Sequence, residues 1–184
     1  FMLGLKYKIA DKLVLNKFRA ALGGKVRACS SGGSALSKEV GSFFCGIGIT
    51  IIEGYGLTET SPVMTVGHSD FFKFGTVGKP IPGVEVKIQP DGEIVCRGHN
   101  VMMGYYKNEE ATNEAIIDGW FHSGDIGEFD EDGLLRITDR KKSLIVTSGG
   151  KNVAPQPMEV SLTSNKYIEQ CNICLLYTSD AADE

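Results

Sequence analysis

The chain has no apolar run approaching the roughly 18 residues of a membrane span, so its sequence offers no transmembrane segment. It also lacks an excess of positive charge. Its 19 Lys and Arg stand against 23 Asp and Glu, a formal net charge of −4, which argues against a nucleic-acid partner. The three histidines, His68, His99 and His122, share no metal-ligand spacing, and Cys171 and Cys174 form a lone C-x-x-C without a second pair, so no zinc site is expected. Five cysteines, an odd and scattered set, point to reduced thiols and hence to a cytoplasmic setting. The first residues have neither the basic start nor the small-residue cleavage site of a signal peptide. There is no G-x-G-x-x-G dinucleotide fingerprint. No G-x-S-x-G elbow occurs either, so His122, Ser123 and Asp125, crowded together, do not read as a catalytic triad. Asp130-Glu131-Asp132-Gly133 carries its glycine too early for a calcium loop and reads as a turn.

What remains is an ordinary globular composition, 42% hydrophobic and 23% charged, with 184 residues able to bury a sizeable core. Leu5, Ile9, Leu13 and Phe18 recur near helical spacing among lysines, which predicts an amphipathic surface helix stopped at Gly23-Gly24. A short strand at 26–29, a serine and glycine loop, a helix over 36–44 and a strand at 49–52 make a βαβ unit. Its loops fall at the strand C-termini, the edge where open α/β sheets bind ligands. From Gly75 the texture changes to short strands and turns. Val84–Ile88 and Glu93–Arg97 alternate around Pro90-Asp91-Gly92, a β-hairpin in a β-rich subdomain, and a short helix follows over 108–117. The stretch 119–127 reads as a turn-rich loop carrying Asp125, followed by a hairpin turning at 130–133. Its second strand runs into Asp139-Arg140-Lys141-Lys142. Charges between two strand-like runs predict a domain boundary there, with residues 1–138 in one domain and 139–170 opening another.

Three constellations carry chemistry. Tyr55-Gly56-Leu57-Thr58-Glu59-Thr60-Ser61-Pro62 presents small hydroxyls for a phosphate and a carboxylate for the Mg²⁺ that accompanies one. Turn chemistry leading to a solvated glutamate explains the same residues. Ser31-Gly32-Gly33-Ser34 lets backbone approach a flat ring or phosphate closely, or is a strand-to-helix turn with Ser34 or Ser37 as the helix cap. Asp125 offers two oxygens to a ribose diol, or closes an Asx-turn on its own backbone.

In this order the segments YGLTETSP, GTVGKPIPGVEVKI, DGEIVCRGHNVMMGYY, DGWFHSGDIG and ITDRKKSLIVTSGGKNVAPQPMEVSL resemble the adenylate-forming ligase superfamily. The APQPME version, with NEEAT before DGWFHSGD, is most similar to the long-chain fatty acyl-CoA synthetases. The resemblance covers about residues 26–170. It implies the C-terminal part of a large α/β adenylating domain, a βαβ unit plus a β-rich barrel-like subdomain, then the start of a small α+β domain. It implies ligation of a fatty acid to coenzyme A at the expense of ATP, by way of acyl-AMP. A ligase for another carboxylic acid and a non-catalytic nucleotide-binding fragment are the alternatives.

The family's roles fall on this chain by motif. Gly32, Gly33 and Ser34 would pack on adenine, Tyr55 would stack near the base with Gly56 beside it, and Thr58 would touch phosphate. Glu59 would support Mg²⁺, Asp125 would take the ribose hydroxyls, and Arg140 would reach the same nucleotide. Asp139 matches the hinge, and Gly149-Gly150-Lys151 the loop that the hinge motion brings to the coenzyme A tunnel, with Lys151 counted among the catalytic residues. ATP or AMP, Mg²⁺ and coenzyme A are therefore the expected cofactors and substrates, and the resemblance leaves room for a peripheral membrane contact. The family's TSGTTGxPKG-type phosphate loop and its late lysine do not occur, and residues 171–184 show no family pattern. The expectation is an internal fragment, inactive alone, with a foreign or frame-shifted tail.

Overall fold

The computed structural model describes residues 2–68, 73–146, 152–163 and 165–174. An N-terminal helical stretch runs through α1 (Met2–Ala10), π-helical turns over Asp11–Leu15, and α2 (Asn16–Ala21). Gly23 and Gly24 end it at positive φ. Its apolar side is uncovered here: Leu5, Ile9, Leu13 and Phe18 are all exposed.

β1 (Ala28–Ser31) and β2 (Thr50–Tyr55) pair in parallel, Ser31 opposite Glu53, with α3 (Lys38–Gly46) as the crossover. The expected βαβ unit is thus present. Ser37 caps α3, its hydroxyl accepting the Val40 N–H at 3.2 Å, which satisfies one of the free donors at a helix start. Ile47, Ile49 and Ile51 form its core, with Leu36 and Phe44 packed against them. β3 (Thr65–Val66) and β4 (Lys79–Pro80) add antiparallel to β2, completing a four-stranded sheet in the order β1-β2-β3-β4.

A second sheet is antiparallel. β5 (Val84–Ile88) and β6 (Glu93–Gly98) form the expected hairpin, with Val86 opposite Cys96. α4 (Glu109–Ala115), capped by the Asn108 side chain, gives way to β7 (Ile116–Ile117). The helix ends earlier than predicted, as two adjacent β-branched residues favour an extended chain. β8 (Trp120–Phe129) and β9 (Leu135–Arg140) complete the sheet, β8 pairing with β6, β7 and β9. The 130–133 turn is closed by Asp130, whose Oδ1 accepts the N–H groups of Asp132 and Leu134, both at 3.0 Å. Beyond a tight turn at Lys141–Ser143 lie β10 (Ile145–Val146), paired antiparallel with β11 (Asn152–Val153), and α5 (Gln156–Thr163).

The two sheets share a core of Tyr55, Met64, Val84, Ile94, Cys96, Phe121 and Leu135. Burial there pushes the Cys96 thiol up to about 11. Backbone bonds from Val77 N–H to Leu135 O (2.7 Å) and from Leu135 N–H to Gly78 O (2.8 Å) tie β9 to the strand-connecting segment of the other sheet. Among the described residues no helix is long and apolar enough to cross a membrane.

Two sequence expectations change at this level. Residues 119–127 are not a loop: Asp125 stands inside the ten-residue strand β8. The glycines that suggest turns there serve a bulge between Ile126 and Gly127, and a Cβ on Gly127 would sit 2.5 Å from the Arg136 carbonyl oxygen. Asp139, one of four consecutive charges that read as unsuited to a core, is nevertheless buried. It lies at 1% exposure in β9, opposite Ile126, and its Oδ2 has no hydrogen-bond partner among the described residues.

Candidate nucleotide site

Parallel pairing of β1 and β2 brings their C-terminal ends together, and the loops that follow form one side of the site. At the first loop, Gly33 takes φ +82°, and a Cβ on Gly32 would lie 3.3 Å from the Gly54 carbonyl oxygen. At the second, Gly56 passes so close to the 62–63 backbone that a Cβ would overlap the Pro62 carbonyl. Only glycine permits this crossing. Thr60, fully buried, fixes the turn with its hydroxyl, which accepts Leu57 N–H and donates to Leu57 O, both at 2.9 Å. Ser61 closes it in the left-handed conformation, φ +53°.

The other side comes from the second sheet. Asn100, 6% exposed, donates from Nδ2 to Thr60 O at 3.1 Å and to Val63 O at 2.9 Å. Met102 N–H reaches Glu59 O at 2.8 Å, and the Tyr105 hydroxyl donates to Glu59 Oε1, also at 2.8 Å. That bond pushes the Tyr105 phenol above its ordinary range. Asp125 is 5% exposed and receives the Tyr55 hydroxyl on Oδ2 at 2.6 Å, a bond joining β2 to β8 across the core. Burial first, then the adjoining Asp125 carboxylate, push the Tyr55 phenol far above its usual range, so it remains a neutral donor. Arg140, the exposed last residue of β9, places Nε 3.3 Å from Asp125 Oδ1. Ser123 orients the strand beneath by donating to Ile94 O at 2.7 Å and accepting Asp125 N–H at 3.1 Å.

These residues enclose a cavity of about 210 Å³, walled by Gly33, Ser34, Tyr55, Gly56, Asp125 and Arg140 among others. It adjoins an open cleft lined by Gly32, Thr58 and Glu59, with Gly33, Tyr55, Gly56 and Arg140 shared between the two. The structure therefore brings together Gly32, Gly33, Ser34, Tyr55, Gly56, Thr58, Glu59, Asp125 and Arg140, which the sequence places in four separate segments. Lys151, with Gly149 and Gly150, lies outside the described residues.

Some lining residues were not singled out from sequence. Glu53 faces the cavity; burial raises its carboxyl pKa although the backbone N–H groups of Gly75 and Leu36 oppose the shift. Gln156, at the start of α5, also lines it. Tyr105 had no local signal, since 46 residues separate it from its partner. A further cluster stands apart: the Glu93 carboxylate, 5% exposed, receives His122 Nδ1 and the Gly124 N–H at 3.0 Å and Lys141 Nζ at 2.9 Å. Lys141 also reaches Asp91 at 2.7 Å.

The donor set suits a nucleotide. A buried carboxylate and a guanidinium meet at one end, glycine backbone lies along one wall, and a hydroxyl and carboxylate meet at the other end. Among the described residues no three His, Cys, Asp or Glu converge on one point. A cation in the cleft would take one protein carboxylate, Glu59, and complete its shell with phosphate oxygens and water, which fits Mg²⁺.

Comparison with known proteins bears directly on this arrangement. Long-chain-fatty-acid–CoA ligase FadD15 of Mycobacterium bovis is 52% identical over 169 residues, which is 92% of this chain and 28% of that protein. Long chain acyl-CoA synthetase 7, peroxisomal, of Arabidopsis thaliana is 41% identical over 180 residues, 89% of this chain and 26% of that protein. The chain thus spans little more than a quarter of the length of either relative. Among solved structures, unliganded O-succinylbenzoate coenzyme A synthetase (MenE) from Bacillus subtilis superposes with a TM-score of 0.73 at 30% identity, covering 84% of this chain and 38% of that one. The same synthetase in complex with ATP and magnesium ion superposes at 0.69 and 31% identity, covering 80% and 35%. The family described as AMP-binding enzyme matches residues 5–106, more than half of the sequence, and the chain belongs to that family.

Proposed function

We propose that a longer protein containing this chain is an ATP-dependent fatty acid–coenzyme A ligase. The observation that carries this reading is the convergence of Asp125 and Arg140 with Thr58 and Glu59 on two adjoining cavities at the β1–β2 edge. The names of relatives at 52% and 41% identity support the fatty-acid assignment.

In the first half-reaction a carboxylate oxygen attacks the α-phosphorus of ATP. The bond to the bridging oxygen breaks and pyrophosphate leaves with its electron pair. In the second, the coenzyme A thiolate attacks the acyl carbonyl and AMP departs as a stabilised phosphate, leaving the thioester. Asp125, held by Tyr55, accepts the ribose hydroxyls, and Arg140 lies against the same nucleotide. Gly32, Gly33 and Ser34 supply a flat wall without side-chain obstruction for the base, with Tyr55 beside it. Thr58 donates to phosphate, and Glu59 would hold Mg²⁺. When bound, Mg²⁺ neutralises phosphate charge as it builds in the transition state.

The same reading places the domain joint at residue 139, with Asp139 as hinge and 139–170 opening the small domain. The tight turn at Lys141–Ser143 directly after β9 supports it. It assigns Gly149, Gly150 and Lys151 to the coenzyme A side, and the protein to the cytoplasm on the strength of its odd cysteine count. A second reading, a ligase for an aromatic acid, is favoured by the likeness to O-succinylbenzoate coenzyme A synthetase. Pyrophosphate release by the full-length protein, measured with palmitate, o-succinylbenzoate or no acid, separates the two. Release with palmitate and coenzyme A supports the proposal; release with the aromatic acid alone, or with neither, overturns it.

A further inference from the structure

The connection between β6 and α4 holds the Thr58–Glu59 loop at four points. Asn100 fixes the Thr60 and Val63 carbonyls, Met102 N–H fixes the Glu59 carbonyl, and the Tyr105 hydroxyl fixes the Glu59 side chain. Three of these are backbone anchors that any folded loop could use. The fourth differs, because it engages one oxygen of a carboxylate that lines the cleft and leaves Oε2 without a hydrogen bond among the described residues.

Tyr105 is itself held. Its N–H donates to Thr112 Oγ1 at 2.9 Å, its carbonyl accepts Asn108 N–H at 3.2 Å, and Thr112 Oγ1 donates to Asn108 O at 2.8 Å. Gly104, at φ +148°, brings this backbone so close to α4 that a Cβ would stand 2.7 Å from Thr112 Cγ2. A rigid helix start therefore fixes Tyr105, and Tyr105 fixes Glu59. A half-exposed pair on a mobile surface gains little from such anchoring. A ligand oxygen that must meet a cation at a set distance gains from it, since fixing the partner of a ligating group fixes the ligand.

We propose that Tyr105 is a positioning residue: it occupies Glu59 Oε1 and thereby presents Oε2 to the divalent cation that accompanies ATP. The inference rests on Glu59 being the cation ligand, so the test distinguishes the two claims. The full-length protein, with Mn²⁺ and α,β-methylene-ATP, is compared as wild type, Tyr105→Phe and Glu59→Gln. Bound Mn²⁺ is read by electron paramagnetic resonance and metal-free AMP binding by calorimetry. Tyr105→Phe is expected to raise the Mn²⁺ midpoint about three- to tenfold, at or below the low end for partners of metal ligands because the pair is exposed. Glu59→Gln is expected to raise it at least as far, with AMP affinity unchanged in both variants. A shift in Glu59→Gln with none in Tyr105→Phe overturns the positioning role alone. No shift in either overturns both claims. An equal loss of metal-free AMP binding in Tyr105→Phe makes the tyrosine a structural clamp and likewise overturns the proposal.

Discussion

Replacing Asp125 with alanine removes two acceptor oxygens from a position that is 5% exposed, together with the only hydrogen bond the Tyr55 hydroxyl donates among the described residues. Oδ2 accepts the Tyr55 hydroxyl and Oδ1 lies in an ion pair with Arg140 Nε at 3.3 Å, which leaves acceptor capacity on both for a pair of vicinal hydroxyls. Hydrogen bonds to a charged group contribute about 1.5–3 kcal/mol each, and water entering the vacated space recovers part of the loss. ATP affinity of the full-length protein should then fall by about one to two orders of magnitude, at about 1.4 kcal/mol per decade. Fatty-acid affinity should change little. The informative assay compares ATP with 2′,3′-dideoxy-ATP. Wild type should discriminate strongly and Asp125→Ala hardly at all, while Tyr55→Phe, which keeps the carboxylate and removes its tether, should fall between them. If Asp125→Ala discriminates as strongly as wild type, Asp125 is a strand residue with no part in ribose recognition and the reasoning fails.

Gly56→Ala should destabilise the full-length protein by about 3 kcal/mol or more, because a methyl group has no room beside the Pro62 carbonyl; a urea midpoint implying less than about 0.5 kcal/mol would refute the crossing. Glu93 should make stability acid-sensitive. Burial opposes its ionisation, but hydrogen bonds from His122, Lys141 and Gly124 outweigh that and hold its carboxyl below the usual value of 4.5. Because the folded group is the more acidic, its contribution is complete above about 4.5 and is lost as pH drops through the lower folded value. The stability gap between wild type and Glu93→Gln should therefore narrow as pH falls from 6 to 3 in denaturant titrations, and a constant gap would count against it. The 184-residue chain by itself should make no acyl-CoA, since it carries no TSGTTGxPKG-type phosphate loop; thioester above a no-protein control, followed by mass spectrometry, would contradict this.

Local chemistry made much of the fold readable. The βαβ unit, the β5–β6 hairpin, the Ser37 cap and the Asp130 turn are all encoded within a few residues by periodicity and turn preference. Misreadings arose where tertiary contacts decide. Gly124 and Gly127 look like turn residues but lie within β8, Gly127 at its bulge, so Asp125 reads as a loop residue. Asp139 reads as one of four charges unsuited to a core and is buried. The candidate site itself became legible through motif order, not spacing. Bonds such as Tyr55 to Asp125 and Tyr105 to Glu59 span 70 and 46 residues, and no local pattern announces them. The apolar side of α1 and α2 is legible as apolar, but the sequence does not say that Leu5, Ile9 and Leu13 stay exposed while Phe18 meets the Phe43 ring.

The crossing at Gly56 also bears on how related sequences should be interpreted. Two backbone segments meet there as part of the fold itself, so a lineage drifting away from ligase chemistry would still be obliged to keep the glycine. Glu59 and Tyr105 carry no such obligation, because their side chains meet at the cleft and not in the core. A descendant that retains Gly56 and has lost both side chains would have preserved its shape and abandoned its reaction. On the proposed function, the glycine of this motif thus dates the fold, and the acid–phenol pair beside it would date the chemistry.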